Sequence, residues 1–299
     1  MPTKPTNKLF INYELEEPKT YSFINKCSDL YKEIANYGTS LLDSLLKIRL
    51  EHNNKNLAQL CLLRHALNIM YSISECLKIP AVGSISILTR SLFEAQVSIK
   101  YILKSNTDKK SQCFIFCETK KKFDRYSILL KSDPNHKNII KTVANDKTVD
   151  MIKVPENIVK KNLIDLKNIL DKPEFKEIAI EYDSVRQKND KKPSWYELFN
   201  GPKNILTLAS DVGDSASYEV VYRVFSGQTH ASELFSNTIV LDTFKAVNMF
   251  DSSYKPILKI CISYALNILD IFIKHEIPTE EQRHNNWYLK EIRNLYNQL

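Results

Sequence analysis

An arginine and a histidine seven residues apart, Arg223 and His230, are the pair in this chain best suited to proton transfer beside an anion. On an α-helix seven residues make roughly two turns, so both side chains fall on one face, about 10.5 Å apart along the axis. Ser226 and Gly227 lie between them and are small, which leaves a shallow groove. A phosphodiester fits such a groove: arginine holds the phosphate and histidine, titrating near neutral pH, moves a proton. Tyr222, one turn before Ser226, points at the same cleft or makes a helix-packing contact.

A second constellation is Arg90 and Glu94, one turn apart in a stretch that is apolar nearly all round (82–104). Burying an ion costs several kcal/mol unless it is paired and hydrogen-bonded. The two either pair along their own helix, bond a neighbouring helix (Arg64, for instance), or place Glu94 in a central cleft to orient His230 or Arg223. The remaining histidines are scattered and form neither H-x-x-x-H nor H-E-x-x-H. Cys113 and Cys117 stand one turn apart without further ligands to complete a metal set, so no metal and no cofactor is expected.

The elements that must position these residues are helical. Only 5 of 299 residues are glycine, too few for hairpins and phosphate loops, and G-x-x-x-x-G-K-[ST] and G-x-G-x-x-G are absent. Apolar periodicity and Pro or Gly breaks predict helices at about 20–50, 56–78, 82–104 and 108–131, then 155–171 and 174–188, a short one from Trp195, then 205–212. Gly213 stops that helix, and Asp214 or Ser215 caps the one carrying Arg223 and His230. Helices at 254–275 and 279–297 close the chain. Four segments result: an extended arm (1–18), the first half of a bundle (19–133), a lysine-rich insertion or cap (134–193), and the second half with the motif and C-terminal helices (194–299).

The net charge of +7 suits an anionic partner such as RNA, and also follows from a general Lys, Asn and Ile bias. The first twenty residues are polar and proline-spaced, unlike a secretory signal, and the most apolar stretch, 257–273, carries Lys259, Asn267 and Asp270. A cytoplasmic protein with reduced thiols and no membrane association is expected.

"LTRSLFEAQVSIKYIL" (Leu88 to Leu103) followed by "WYELF…YEVVYRVFSGQTHAS" (Trp195 to Ser232) resembles a widespread bacterial helical family of unknown function, over roughly residues 25 to 245. Its pattern is an R-S-x-x-E helix and a later Y-x-x-x-S-x-x-x-H helix. The Arg-x6-His spacing is also similar to the R-x4-6-H motif of the HEPN superfamily (higher eukaryotes and prokaryotes nucleotide-binding). Val224 follows the arginine where many active members carry a polar residue. The second resemblance implies an all-α HEPN-like bundle that dimerises through the motif helix. It also implies metal-independent endoribonuclease activity in toxin–antitoxin or anti-phage systems, with an antitoxin or defence partner. That resemblance maps its catalytic residues onto Arg223 and His230; the cleft reading adds Glu94 to the catalytic set and has Arg90, Tyr222, Ser226 and Gly227 contact substrate. The alternatives are a non-catalytic protein that binds RNA or a nucleotide or senses a signal, and a scaffold whose polar stripe fixes helix packing.

Overall fold

Apolar residues recur at three- and four-residue spacing along most of this chain, and the computed structural model winds those stretches into helices. It describes residues 18–49, 57–78, 82–130, 155–223, 238–240, 246–248 and 254–299. The expected extended arm, the first part of the lysine-rich segment, and Ser226, Gly227 and His230 lie outside the described residues. The helices are α1 (Pro18–Arg49), α2 (Leu57–Lys78), α3 (Val82–Lys104), α4 (Thr107–Ser127), α5 (Glu156–Leu170), α6 (Lys176–Asn189) and α7 (Ile205–Asp211). Then come α8 (Ser215–Ser217, continued as a π-helical stretch Tyr218–Arg223), α9 (Tyr254–Glu276), α10 (Glu281–Trp287, continued as a π-helical stretch Tyr288–Ile292) and α11 (Arg293–Asn297). Short 3-10 turns fill Pro173–Phe175, Trp195–Asn200 and Pro278–Glu280. Among the described residues the one extended ladder is a three-residue antiparallel pairing of Thr238–Val240 with Ala246–Asn248. No described helix is long and apolar enough to cross a membrane.

The chain divides into two units. The first comprises Met1–Asn54, Gln59–Ser105 and Ile205–Leu299. Its core is built where four helices turn their apolar stripes inward: Ile24, Leu30, Tyr31 and Ile34 of α1, Leu63, Met70, Ile73 and Leu77 of α2, Leu92, Phe93 and Ile102 of α3, and Ile268, Leu269 and Phe272 of α9. Two buried serines fasten α1 to α2. Ser28 Oγ donates to the Ser74 carbonyl (2.9 Å) and Ser74 Oγ to that of Ser28 (3.0 Å). Gly38 faces the side chains of Leu67 and Leu269, where a Cβ would have no room. At the C-terminal end the Tyr37 ring stacks on Trp287 (4.0 Å between centroids), whose indole N–H donates to Glu33 (2.8 Å).

The second unit comprises Lys55–Ala58 and Asn106–Asn204. Its core is aromatic. Phe116 of α4 meets Phe175 and Tyr182 at 5.9 and 5.7 Å between centroids, and Phe114 meets Trp195 edge-on at 5.5 Å. Ser194 and Glu197 form a capping box that starts the turn at Trp195. The boundary differs from the division expected at 134. Helix α4 belongs with the lysine-rich helices, because Cys113, Phe116 and Cys117 bury their side chains within this unit.

Candidate functional site

The site grows from the turn that ends α7. Gly213 adopts φ 80°, the left-handed conformation that closes a helix and that a β-carbon disfavours. Asp214 follows at the cap position of α8, but its side chain does not cap, contrary to the role expected for it. Its carboxylate instead accepts two bonds from Lys100 Nζ (2.7 and 2.8 Å) and one from Gln96 Nε2 (3.0 Å). Asp214 is 8% exposed, so the start of α8 is fastened to α3 by a nearly dry ion pair.

Beyond Ser217 the α-helical winding expected across this segment gives way to π winding over Tyr218–Arg223. A π-turn takes more residues than an α-turn, which resets the direction each side chain takes. Val221 is fully buried, Tyr222 turns toward α3 and Arg223 toward solvent.

On α3, Arg90 and Glu94 make the intrahelical pair: Arg90 Nε donates to Glu94 Oε1 (3.3 Å). Arg90 Nη2 also donates to the Tyr222 hydroxyl (2.7 Å), and its guanidinium carbon lies 4.1 Å from the Tyr222 ring centre. Tyr218 stacks on Tyr222 at 4.9 Å, and Phe93 flanks the same ring at 6.2 Å. The Arg90 side chain is 16% exposed and that of Glu94 46%, so the pair sits at the edge of the core and not embedded in it as its apolar surroundings suggest. Partial burial raises the Glu94 carboxyl above its ordinary range, against the opposing pull of Arg90 and of His65. Burial, then the charge of Glu94, raises the Tyr222 phenol.

Arg90, Glu94 and Tyr222 are therefore brought together. Arg223 is not among them: its side chain is 73% exposed and pairs with Glu219 one turn back (2.8 Å). The structure adds Lys100, Gln96, Asp214 and Tyr218, and places His65 of α2 within electrostatic reach of Glu94. Nothing in the spacing of His65 points there, since the link runs between separate helices. Lys100 and Asp214 are 114 residues apart, equally beyond any local pattern. No group of three or more metal-ligating side chains occurs among the described residues.

Residues 56–244 match the model of DUF5677, a family of unknown function, and the chain belongs to that family. The match includes both motif segments and begins at 56, later than the 25 expected, so α1 lies outside it. No curated protein and no solved structure matches the chain.

Proposed function

We propose that this member of the family is a metal-independent endoribonuclease of HEPN-like bundle architecture. His230 is the acid–base residue and Arg223 the phosphate-stabilising one. The observation that supports this reading is the Arg90–Tyr222 bond. It ties the R-S-x-x-E helix to the segment that carries Arg223, whose guanidinium faces solvent and, among the described residues, pairs with Glu219.

In this reading the ribose 2′-oxygen attacks the adjacent phosphorus while its proton passes to His230. The bond from phosphorus to the 5′-oxygen breaks, that oxygen takes up a proton from the imidazolium, and the products are a 2′,3′-cyclic phosphate and a 5′-hydroxyl. Arg223 neutralises the charge that gathers on the non-bridging oxygens. DNA, lacking the 2′-hydroxyl, resists. Two motif segments related by a two-fold axis would carry the arginine of one protomer toward the histidine of the other, hence a homodimer. The biological setting that suits such an enzyme is growth arrest or anti-phage defence in the cytoplasm, under control of a partner protein.

The test is incubation of purified protein with single-stranded RNA and with DNA of the same sequence, in EDTA. The expected result is RNA cleavage to cyclic-phosphate ends, reduced about 100-fold or more in His230→Ala and Arg223→Ala. The circular dichroism spectrum should not change. Uncut RNA, or equal cutting by His230→Ala, refutes the proposal.

One observation favours a second reading, a protein that binds RNA or a nucleotide without cutting it. Arg90, Glu94 and Tyr222 are spent on one another, as in a clamp between helices. That reading expects salt-dependent RNA affinity and no products.

A further inference from the structure

The second unit carries a surface the endoribonuclease reading does not use. Residues 106–204 hold 21 Lys and Arg against 15 Asp and Glu, so six of the chain's seven net positive charges fall in this third of it. Between α4 and α5 the unit opens a groove of about 670 Å³. Its floor is apolar, made by Leu166 and Ile169 of α5 and Leu129 just past α4. Leu129 is 47% exposed. Its α4 wall is basic, with Lys121, Lys122 and Arg125 on one face beside Tyr126.

The cations of α4 are not equivalent. Lys120 turns away to Asp124, which Lys192 also holds. Lys121 is matched by Glu118 at 2.6 Å. Lys122 and Arg125 are exposed and make no ion pair among the described residues. An apolar floor beside two unmatched cations is complementary to an apolar stripe flanked by carboxylates. From Glu118 to Leu129 the wall rises about 16 Å, three turns of helix. We infer that this groove docks an acidic amphipathic helix of a partner protein, about three turns long. Apolar residues at i, i+3/i+4 and i+7 meet Leu129, Leu166 and Ile169, and acidic residues on one flank meet Lys122 and Arg125.

Two other occupants fit less well. The chain's own stretch 131–154, next in sequence to the groove, carries five lysines against three aspartates, the wrong sign for this wall. Nucleic acid would match the charge, but it leaves three aliphatic side chains facing a sugar–phosphate backbone; among the described residues the groove offers one aromatic ring, Tyr126, on which a base could stack.

The probe is a fluorescein-labelled 18-residue synthetic peptide with leucines at i, i+3, i+7 and i+11 and glutamates on one flank. The full-length protein is titrated into it and followed by anisotropy. Saturable binding is expected, weakened about tenfold or more by Lys122→Glu with Arg125→Glu, and likewise by Leu129→Ser. A scrambled peptide of the same composition should bind about tenfold more weakly. Leu129 and both cations are exposed, so the variants keep their fold, checked by circular dichroism. Equal binding of the scrambled peptide overturns the inference. So does loss of self-association in Leu129→Ser, which would make a second copy the occupant. Tighter binding of a 12-nucleotide RNA, abolished by the same charge reversals, assigns the groove to RNA and overturns it too. RNA cleavage by these variants is measured in parallel, so failure here stays separate from failure of the nuclease reading.

Discussion

Removing the Asp214 carboxylate should cost more stability than any other single polar deletion around the Tyr222 segment. Asp214 accepts three charge-assisted bonds from Lys100 and Gln96, with side-chain exposures of 10% for Asp214 and 20% for Lys100. At 2.7 Å and an effective dielectric constant near 20, the gross Coulomb attraction is about 6 kcal/mol, most of it offset by the desolvation of both ions. Asp214→Ala removes the attraction and leaves the ammonium and the Gln96 amide without their acceptor. Breaking a fully buried pair costs about 3–5 kcal/mol; the residual exposure of Lys100 brings the expectation to about 3 kcal/mol. For a cooperative unit of this size that lowers Tm by about 6–12 °C. The assay is urea unfolding followed by far-UV circular dichroism, with an unchanged m-value as the check that the unfolded state is the same. Lys100→Met alone should be similarly destabilising, and Lys100→Met with Asp214→Leu should recover to within about 1 kcal/mol of the parent, because no ion is then stranded. Additive losses in the double variant would refute the reasoning.

Gly38→Ala should destabilise by about 1–3 kcal/mol despite the better helix propensity of alanine, since the new methyl meets Leu67 and Leu269; Gly38→Ala with Leu67→Ala should recover part of the loss in the same urea assay. His284 is buried, its Nδ1 has no hydrogen-bond partner among the described residues, and burial pushes its pKa below the ordinary value of 6.5. The unfolded chain therefore binds the proton more readily, so stability falls as pH drops from 6.5 toward the folded-state pKa, by at most about 1.4 kcal/mol per pH unit. His284→Phe should remove that part of the slope in thermal melts between pH 7 and 5. Burial raises the Cys27, Cys117 and Cys261 thiols to about 12 and leaves Cys61 exposed, so native-state alkylation read by mass spectrometry should modify Cys61 first and those three only on unfolding. Tyr222→Phe should cost about 1–2 kcal/mol by deleting the acceptor of Arg90, read again by urea unfolding.

Much of the helical frame was legible because punctuation and periodicity agree. The third helix expected at 82–104 runs Val82–Lys104, and Gly213 breaks the chain where its freedom at positive φ is needed. The site was less legible, for reasons that differ by residue. Arg90 and Glu94 were visible as a polar pair on an apolar helix, yet the Tyr222 hydroxyl that completes them lies 132 residues away, where no spacing rule reaches. Asp214 has the residue type and position of a helix cap, and only the approach of Lys100 and Gln96 diverts its carboxylate. The π winding at Tyr218–Arg223 has no compositional signature, because the same side chains are compatible with an α-turn. Helix α4 buries Ser111, Cys113, Phe116 and Cys117, but their spacing does not say which neighbours they serve.

The residues of the two motif segments divide into two kinds once their partners are known. The arginine and glutamate of R-S-x-x-E hold each other, and the arginine holds Tyr222, so these positions are satisfied by the fold itself. A phosphate arriving at Arg90 would have to displace a 2.7 Å bond and a ring contact in a site where the guanidinium is only 16% exposed. One arriving at Arg223 displaces an exposed pair with Glu219, which water and salt already weaken. Under the proposed function the chemistry therefore falls to the residues the fold leaves unspent, and Arg90 would position Tyr222 and the segment carrying Arg223. The two roles separate experimentally. Under that proposal Tyr222→Phe should lower stability and change any RNA cleavage only as far as it loosens that segment, whereas Arg223→Ala should leave the unfolding curve in place and abolish the proposed RNA cleavage. A variant pair with these effects exchanged would assign the chemistry to the clamp and leave Arg223 a surface charge.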